Sequence, residues 1–136
     1  MPTRPVPVLI VDDQAFFRSA ARAVLAVMPG FAAVGEACSG EEALTRVEEF
    51  VPELVLMDIH LPGISGIEAL GILRHDKTTA HIPVLALSAN AMARDIQRGL
   101  DAGFFRYLTK PIKVGEFMEA LNVALEFAEK GLAPVN

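Results

Sequence analysis

The residues with the most chemistry in them stand at the ends of apolar runs. Asp12 and Asp13 close one such run, Asp58 a second, Ser88 a third, and Thr109 with Lys110 a fourth. Three carboxylates brought together repel one another and are driven to take up protons unless a cation joins them. With no His or Cys at ligand spacing, such an all-oxygen set suits a hard divalent ion, Mg²⁺ or Mn²⁺ in its place. Lys110 adds a positive charge that balances a carboxylate at rest and a phosphoryl oxygen after transfer, and Ser88 adds a hydroxyl donor for another of those oxygens. The set is suited to moving a phosphoryl group onto a carboxylate nucleophile.

Taken singly, each group has a plainer reading. An Asp pair before a helix caps it, Asp58 ahead of Pro62 and Gly63 makes a turn, Ser88 or Asn90 caps the next helix, and Lys110 before Pro111 is a solvated loop lysine. The coincidence argues against these readings, because complementary groups end four separate runs.

Those groups act together only if the chain folds their runs side by side. Val8 to Val11, Ala32 to Ala37, Leu54 to Met57, Val84 to Leu87 and Phe105 to Leu108 are strand-sized and rich in Val, Leu and Ile. Between them lie helical periods, clearest where Phe17, Ala20, Ala21, Val24, Leu25 and Met28 share one face, and again for Phe117, Leu121, Ala124, Leu125 and Ala128. Ser39 with Glu42 three places on predicts a capping box, and Gly103 predicts a left-handed end to the fourth helix. Strand and helix alternate five times. The strands are almost continuously apolar, as they are when helices cover both faces of a parallel sheet. The expectation is an α/β, doubly wound five-stranded parallel sheet with five helices, flavodoxin-like in architecture. Ligands bind such a sheet outside the carboxyl ends of its strands, the edge where the polar groups gather.

Composition bounds the rest. At 136 residues, a single domain over 1–136 is expected, with a folded core of about 6–130 and short tails, Pro2, Pro5 and Pro7 falling before the first strand. A net charge of −5 without a Lys or Arg run points away from direct nucleic-acid binding. One cysteine, Cys38, excludes an internal disulfide and fits a reducing cytosol. No apolar stretch approaches the roughly 20 residues that span a bilayer, so a cytoplasmic protein is expected. Phe16, at the flank of the first helix's buried face, with Arg18 and Arg22 on its outer side, suits a docking surface for a partner's helices. No role is expected for His75 or His81.

Four segments, Val8-Leu-Ile-Val-Asp-Asp-Gln14, Leu54-Val-Leu-Met-Asp-Ile-His-Leu-Pro-Gly63, Leu87-Ser-Ala-Asn-Ala-Met92 and Tyr107-Leu-Thr-Lys-Pro111, together resemble the receiver domains of bacterial response regulators and hybrid histidine kinases. The resemblance covers nearly the whole chain. It implies that Asp58 accepts a phosphoryl group from phosphohistidine on a histidine kinase or phosphotransfer protein. It also implies Mg²⁺ held by Asp13, Asp58 and the backbone carbonyl of His60, with Asp12 acting through water. Ser88 and Lys110 would hold the phosphoryl group, Ser88 and Tyr107 would form the switch, and Lys110–Pro111 would be cis. The output surface, for a downstream protein or a second copy, would be the face of the fourth helix, fifth strand and fifth helix. The likeness is to a signalling receiver that supports its own phosphorylation and dephosphorylation, and not to an enzyme of metabolism. An aspartyl phosphatase would need a second Asp where His60 stands, and a flavin carrier would need a Ser, Thr and Gly-rich loop where Asp12, Asp13 and Gln14 stand.

Overall fold

A computed structural model describes residues 5–129. Five strands, β1 (Val6–Val11), β2 (Phe31–Ala37), β3 (Leu54–Asp58), β4 (Val84–Ser88) and β5 (Arg106–Thr109), form one sheet in the order β2-β1-β3-β4-β5. Every pairing is parallel. Five helices, α1 (Ala15–Val27), α2 (Gly40–Phe50), α3 (Gly66–Arg74), α4 (Ala93–Ala102) and α5 (Val114–Glu129), connect and follow the strands.

Because side chains alternate along a strand, β1 supplies two cores at once. Val8 and Ile10 pack with Ala21 and Leu25 of α1 and Phe117, Leu121 and Ala124 of α5. Leu9 and Val11 pack with Ala43 and Val47 of α2 and Ala69, Leu70 and Leu73 of α3. The inner strands β3 and β4 are buried along their whole length, whereas the edge strands β2 and β5 are half-buried, which is why their apolar pattern is less continuous. The doubly wound expectation holds.

Several boundaries differ from the sequence reading. Pro7 lies inside β1, opposite Ala32, and its carbonyl accepts from Glu53 N–H at 2.9 Å. The strand tolerates it because pairing with β3 begins only at Val8. β3 and β4 run one residue further than the apolar pattern, so Asp58 and Ser88 belong to the strands themselves. Ala20 is exposed although it lies on the apolar face of α1.

Ser39 does cap α2 by accepting from Glu42 N–H at 3.1 Å, yet the Glu42 carboxylate takes the amide of Cys38 at 2.7 Å, not that of Ser39. With φ of −151° at Ser39, against −77° at Ser65, the cap's own N–H is turned away. The reciprocal box forms instead at Ser65 and Glu68, ahead of α3. Gly103 ends α4 at φ 114°, as expected. Away from the carboxyl edge, Arg74 donates to the carbonyls of Ala80 (3.2 Å), Ile82 (2.8 Å) and Gly103 (3.2 Å), joining the end of α3 to the approach to β4 and to the cap of α4.

Candidate functional site

Register brings the acidic residues together. Val11 pairs with Met57, so Asp12 and Asp58, each one residue further on, emerge side by side from the two middle strands. Asp12 is fully buried and Asp58 is 5% exposed, while Asp13 faces solvent. Carboxylate oxygens from all three lie within 4.8 Å of one another.

The two buried carboxylates are already oriented by the backbone. Asp12 Oδ1 accepts from Gln14 N–H at 2.8 Å, and Asp58 Oδ1 accepts from His60 N–H at 3.0 Å. Gly66 keeps this geometry compact, because a Cβ there would stand 2.5 Å from the Asp58 carbonyl. The plain turn reading of Asp58 is thus borne out in its bond from His60 N–H, whereas the Asp pair does not cap α1, whose N-cap Gln14 has no side-chain bond.

The cation comes from the end of β5. Lys110 Nζ donates to Asp12 Oδ2 at 2.7 Å and lies 3.6 Å from Asp58 Oδ2. Its side chain is 15% exposed, so it is no solvated loop lysine. Its amide donates to the Ser88 carbonyl at 2.8 Å, and the Lys110–Pro111 peptide is cis, as the resemblance implies. Burial pushes the Asp58 carboxyl above its ordinary value, and the charges of Asp12 and Asp13 push the same way, against the His60 amide and the Lys110 ammonium. A crowded carboxylate set, two of its three members buried, with oxygen donors only is the chemistry that a hard divalent cation fits.

Ser88 is fully buried on β4, beside Asp58 on β3, since Asp58 pairs with Leu87. Its Oγ accepts from Asn90 N–H at 3.0 Å, leaving the hydroxyl proton available for another acceptor. Neither Ser88 nor Asn90 caps α4; Asn90 accepts from Met92 N–H and donates to Asp95, and the N-cap Met92 has no side-chain bond. Tyr107 reaches this loop from β5, donating its hydroxyl to the Asn90 carbonyl at 2.9 Å. There is space for the Tyr107 ring against α4. It exists because residue 99 is glycine: a Cβ there would stand 2.8 Å from Tyr107 Cδ2. Gly99→Ala is therefore expected to expel the ring. Tyr107 is the only tyrosine and the chain has no tryptophan, so acrylamide quenching of intrinsic fluorescence reads its exposure directly, and unchanged quenching counts against this packing.

Three residues of the site went unrecognised as such in the sequence. Gln14 Oε1 lies 3.2 Å from Lys110 Nζ, and the Phe17 ring centroid lies 4.5 Å from the same nitrogen. Arg18 wraps back from the side of α1 to donate to the Asp12 carbonyl at 2.7 Å and to Glu36 at 3.0 Å, and Arg22 also pairs with Glu36. The placement of Arg18 on a solvated outer face is thus corrected. Position six residues after Asp12, one helical turn beyond Gln14, was the available signal. The imidazole of His60 is exposed, and His75 bonds its own helix at the Gly71 carbonyl. Phe16 is 87% exposed.

Comparisons with known proteins give the family. Residues 8–122 match the response regulator receiver domain family. Over 120 residues the chain is 30% identical to the nitrate/nitrite response regulator protein NarL of Escherichia coli K12, spanning 88% of this chain and 55% of NarL. Over 83 residues it is 45% identical to the polar-differentiation response regulator DivK of Brucella ovis, spanning 61% of this chain and 68% of DivK. The chain therefore spans only about half of NarL. A crystal structure of a putative response regulator from Chloroflexus aurantiacus is 31% identical and superposes with a TM-score of 0.84 over 90% of this chain and 99% of the other. The protein belongs to the response regulator receiver domain family.

Proposed function

We propose that Asp58 is the phosphoacceptor of this receiver, taking its phosphoryl group from phosphohistidine on a histidine kinase or phosphotransfer protein. The observation that carries the reading is a carboxylate 5% exposed, with an ammonium 3.6 Å away and two further carboxylates beside it. Receiver domains of this family bind Mg²⁺ at an acidic pocket. Here Asp13, Asp58 and the His60 carbonyl would hold Mg²⁺ or Mn²⁺ directly and Asp12 through water. When bound, the ion offsets the charge of the carboxylates and the incoming phosphoryl oxygens. Asp58 attacks phosphorus, Lys110 turns from Asp12 towards one phosphoryl oxygen, and the Ser88 hydroxyl donates to another. The same groups would serve hydrolysis of the acyl phosphate. The direct test is incubation with phosphoramidate and Mg²⁺ followed by intact mass and peptide mapping. A single added phosphoryl group on Asp58 is expected, and either no addition or addition elsewhere refutes the assignment.

Asp13→Ala is expected to weaken Mg²⁺ binding about tenfold or more while raising the melting temperature of the metal-free chain, since one of three mutually repelling charges is gone. Melting curves with and without Mg²⁺ check both halves. Full stabilisation of the variant by Mg²⁺ would exclude Asp13 as a ligand.

Partner exchange is proposed at two faces. Phe16, exposed beside the acidic pair, contacts the protein donor; Phe16→Ala should slow transfer from that donor about tenfold and leave transfer from phosphoramidate unaltered. Equal slowing of both would make Phe16 a packing residue. The face of α4, β5 and α5, bearing Arg94, Arg98 and Arg106, is read by a downstream protein or a second copy once Ser88 and Tyr107 respond to phosphate. Among the described residues no helix is long and apolar enough to cross a membrane, and a cytoplasmic receiver, one domain over residues 1–136, is the proposed setting.

A further inference from the structure

We infer that Phe17 is a positioning residue for phosphorylation, its ring seating the Lys110 ammonium beside Asp58. This inference rests on Asp58 as acceptor and adds a residue outside the acidic set. Lysine carries its charge on a flexible four-carbon stem, and holding that charge in one place requires contacts around it. Lys110 Nζ has Asp12 Oδ2 at 2.7 Å, Gln14 Oε1 at 3.2 Å and the Phe17 ring centroid at 4.5 Å. When the ammonium leaves Asp12 for a phosphoryl oxygen, its bond to Asp12 is given up. The ring attracts a cation without competing for its hydrogen-bond donors, so it can hold the ammonium before and after that move. The ring is itself held. Phe17 packs against the core that contains Phe117 and Leu121, and it lines the apolar groove between α1 and α5 with Ala20, Val24, Pro111 and Val114.

In the reaction with phosphoramidate, an Asp58 oxygen forms the O–P bond as the P–N bond breaks. The electron pair leaves with nitrogen, which takes a proton from water, and Lys110 meets charge on the transferring oxygens. Phe17→Leu keeps an apolar side chain but removes the π-face. It is expected to slow phosphorylation by phosphoramidate about three- to tenfold at saturating Mg²⁺, a range typical of cation–π loss. Phe17→Tyr restores most of that loss. NMR supplies a reading independent of rate: ring current shifts the Lys110 ε-methylene protons upfield in the wild type and in Phe17→Tyr, and the shift disappears in Phe17→Leu. Wild-type speed in Phe17→Leu, equal slowing in Leu and Tyr variants, or a Lys110 resonance unmoved by the Leu change would each overturn the assignment. Phosphate on Asp58 of the wild type tests the acceptor reading separately, so the two can fail independently.

Discussion

Asp58→Asn should abolish phosphorylation by phosphoramidate and by a protein donor alike, by at least about a hundredfold, while the chain stays folded. An amide oxygen is too weak a nucleophile to attack phosphorus, and the buried Asp12 carboxylate is engaged by Gln14 N–H and the Lys110 ammonium. The variant also separates function from stability. Because burial, with the charges of Asp12 and Asp13, raises the folded-state titration of Asp58, the folded chain binds that proton more readily than the unfolded chain does. The resulting stability is present below the unfolded carboxylate value and is lost as pH rises through the raised folded value. At neutral pH the ionised Asp58 therefore weakens the metal-free fold, and the Asn variant should melt higher there. Titrating melting temperature from acid to neutral pH without metal should show the wild type losing ground to the variant across that window. Stable phosphate at normal yield in the variant would remove Asp58 as acceptor, and a lower melting point at pH 7 would contradict the electrostatic reading.

Lys110→Ala should produce the largest loss of stability among changes at the site. It strands the fully buried Asp12 carboxylate, whose Oδ2 is 2.7 Å from the lysine nitrogen. Removing one partner of a buried pair costs about 3–5 kcal/mol, and here about 2–3 kcal/mol is expected because Gln14 N–H still serves Asp12 Oδ1 and the lysine retains some solvent contact. Mg²⁺ should recover part of the loss by binding the folded state. Phosphorylation should fall about a hundredfold even with Mg²⁺ present, the size of effect seen when one preorganised donor to a developing charge is removed. Urea unfolding with and without Mg²⁺, alongside the phosphoramidate rate, measures both. A variant as stable as wild type without metal would mean that the ion pair contributes nothing net.

The layered architecture was legible because it depends on a property repeated many times along the chain. Val8 to Val11, Leu54 to Met57 and Val84 to Leu87 are apolar on both sides, and only a sheet covered on both faces requires that. The acidic set was legible for a related reason, since Asp12, Asp58 and Lys110 all end strands and register does the rest. What stayed hidden depends on side-chain reach or on single dihedral angles. Phe17 read as core by its spacing, and nothing in the spacing says that a lysine 93 residues later rests on its ring. Arg18 read as solvated because periodicity gives the direction of Cβ, whereas a guanidinium can bend back to the Asp12 carbonyl. The end of α2 is Val51 at φ 46°, a left-handed position that composition would give to glycine; Pro52 behind it excludes the right-handed alternative. Pro7 was assigned to a tail for want of knowing that β3 pairs only beyond it.

The three carbonyls gathered by Arg74 turn α4 into a lever with one pinned end. Its C-terminal cap, Gly103, is tied to α3 and to the approach to β4, while its first turn is joined through the Asn90 side chain, at Met92 and Asp95, to the loop that Ser88 and Tyr107 hold. A rod fixed at one end rotates about that end. At 1.5 Å per residue, a ten-residue helix is about 15 Å long, so a tilt of about 10°, carrying the Asn90 loop with it, would move the N-terminal end by about 2–3 Å and the pinned end hardly at all. A tilt of this kind would therefore be amplified in one direction, and the residues displaced furthest would be those nearest Ser88 and the proposed acceptor Asp58.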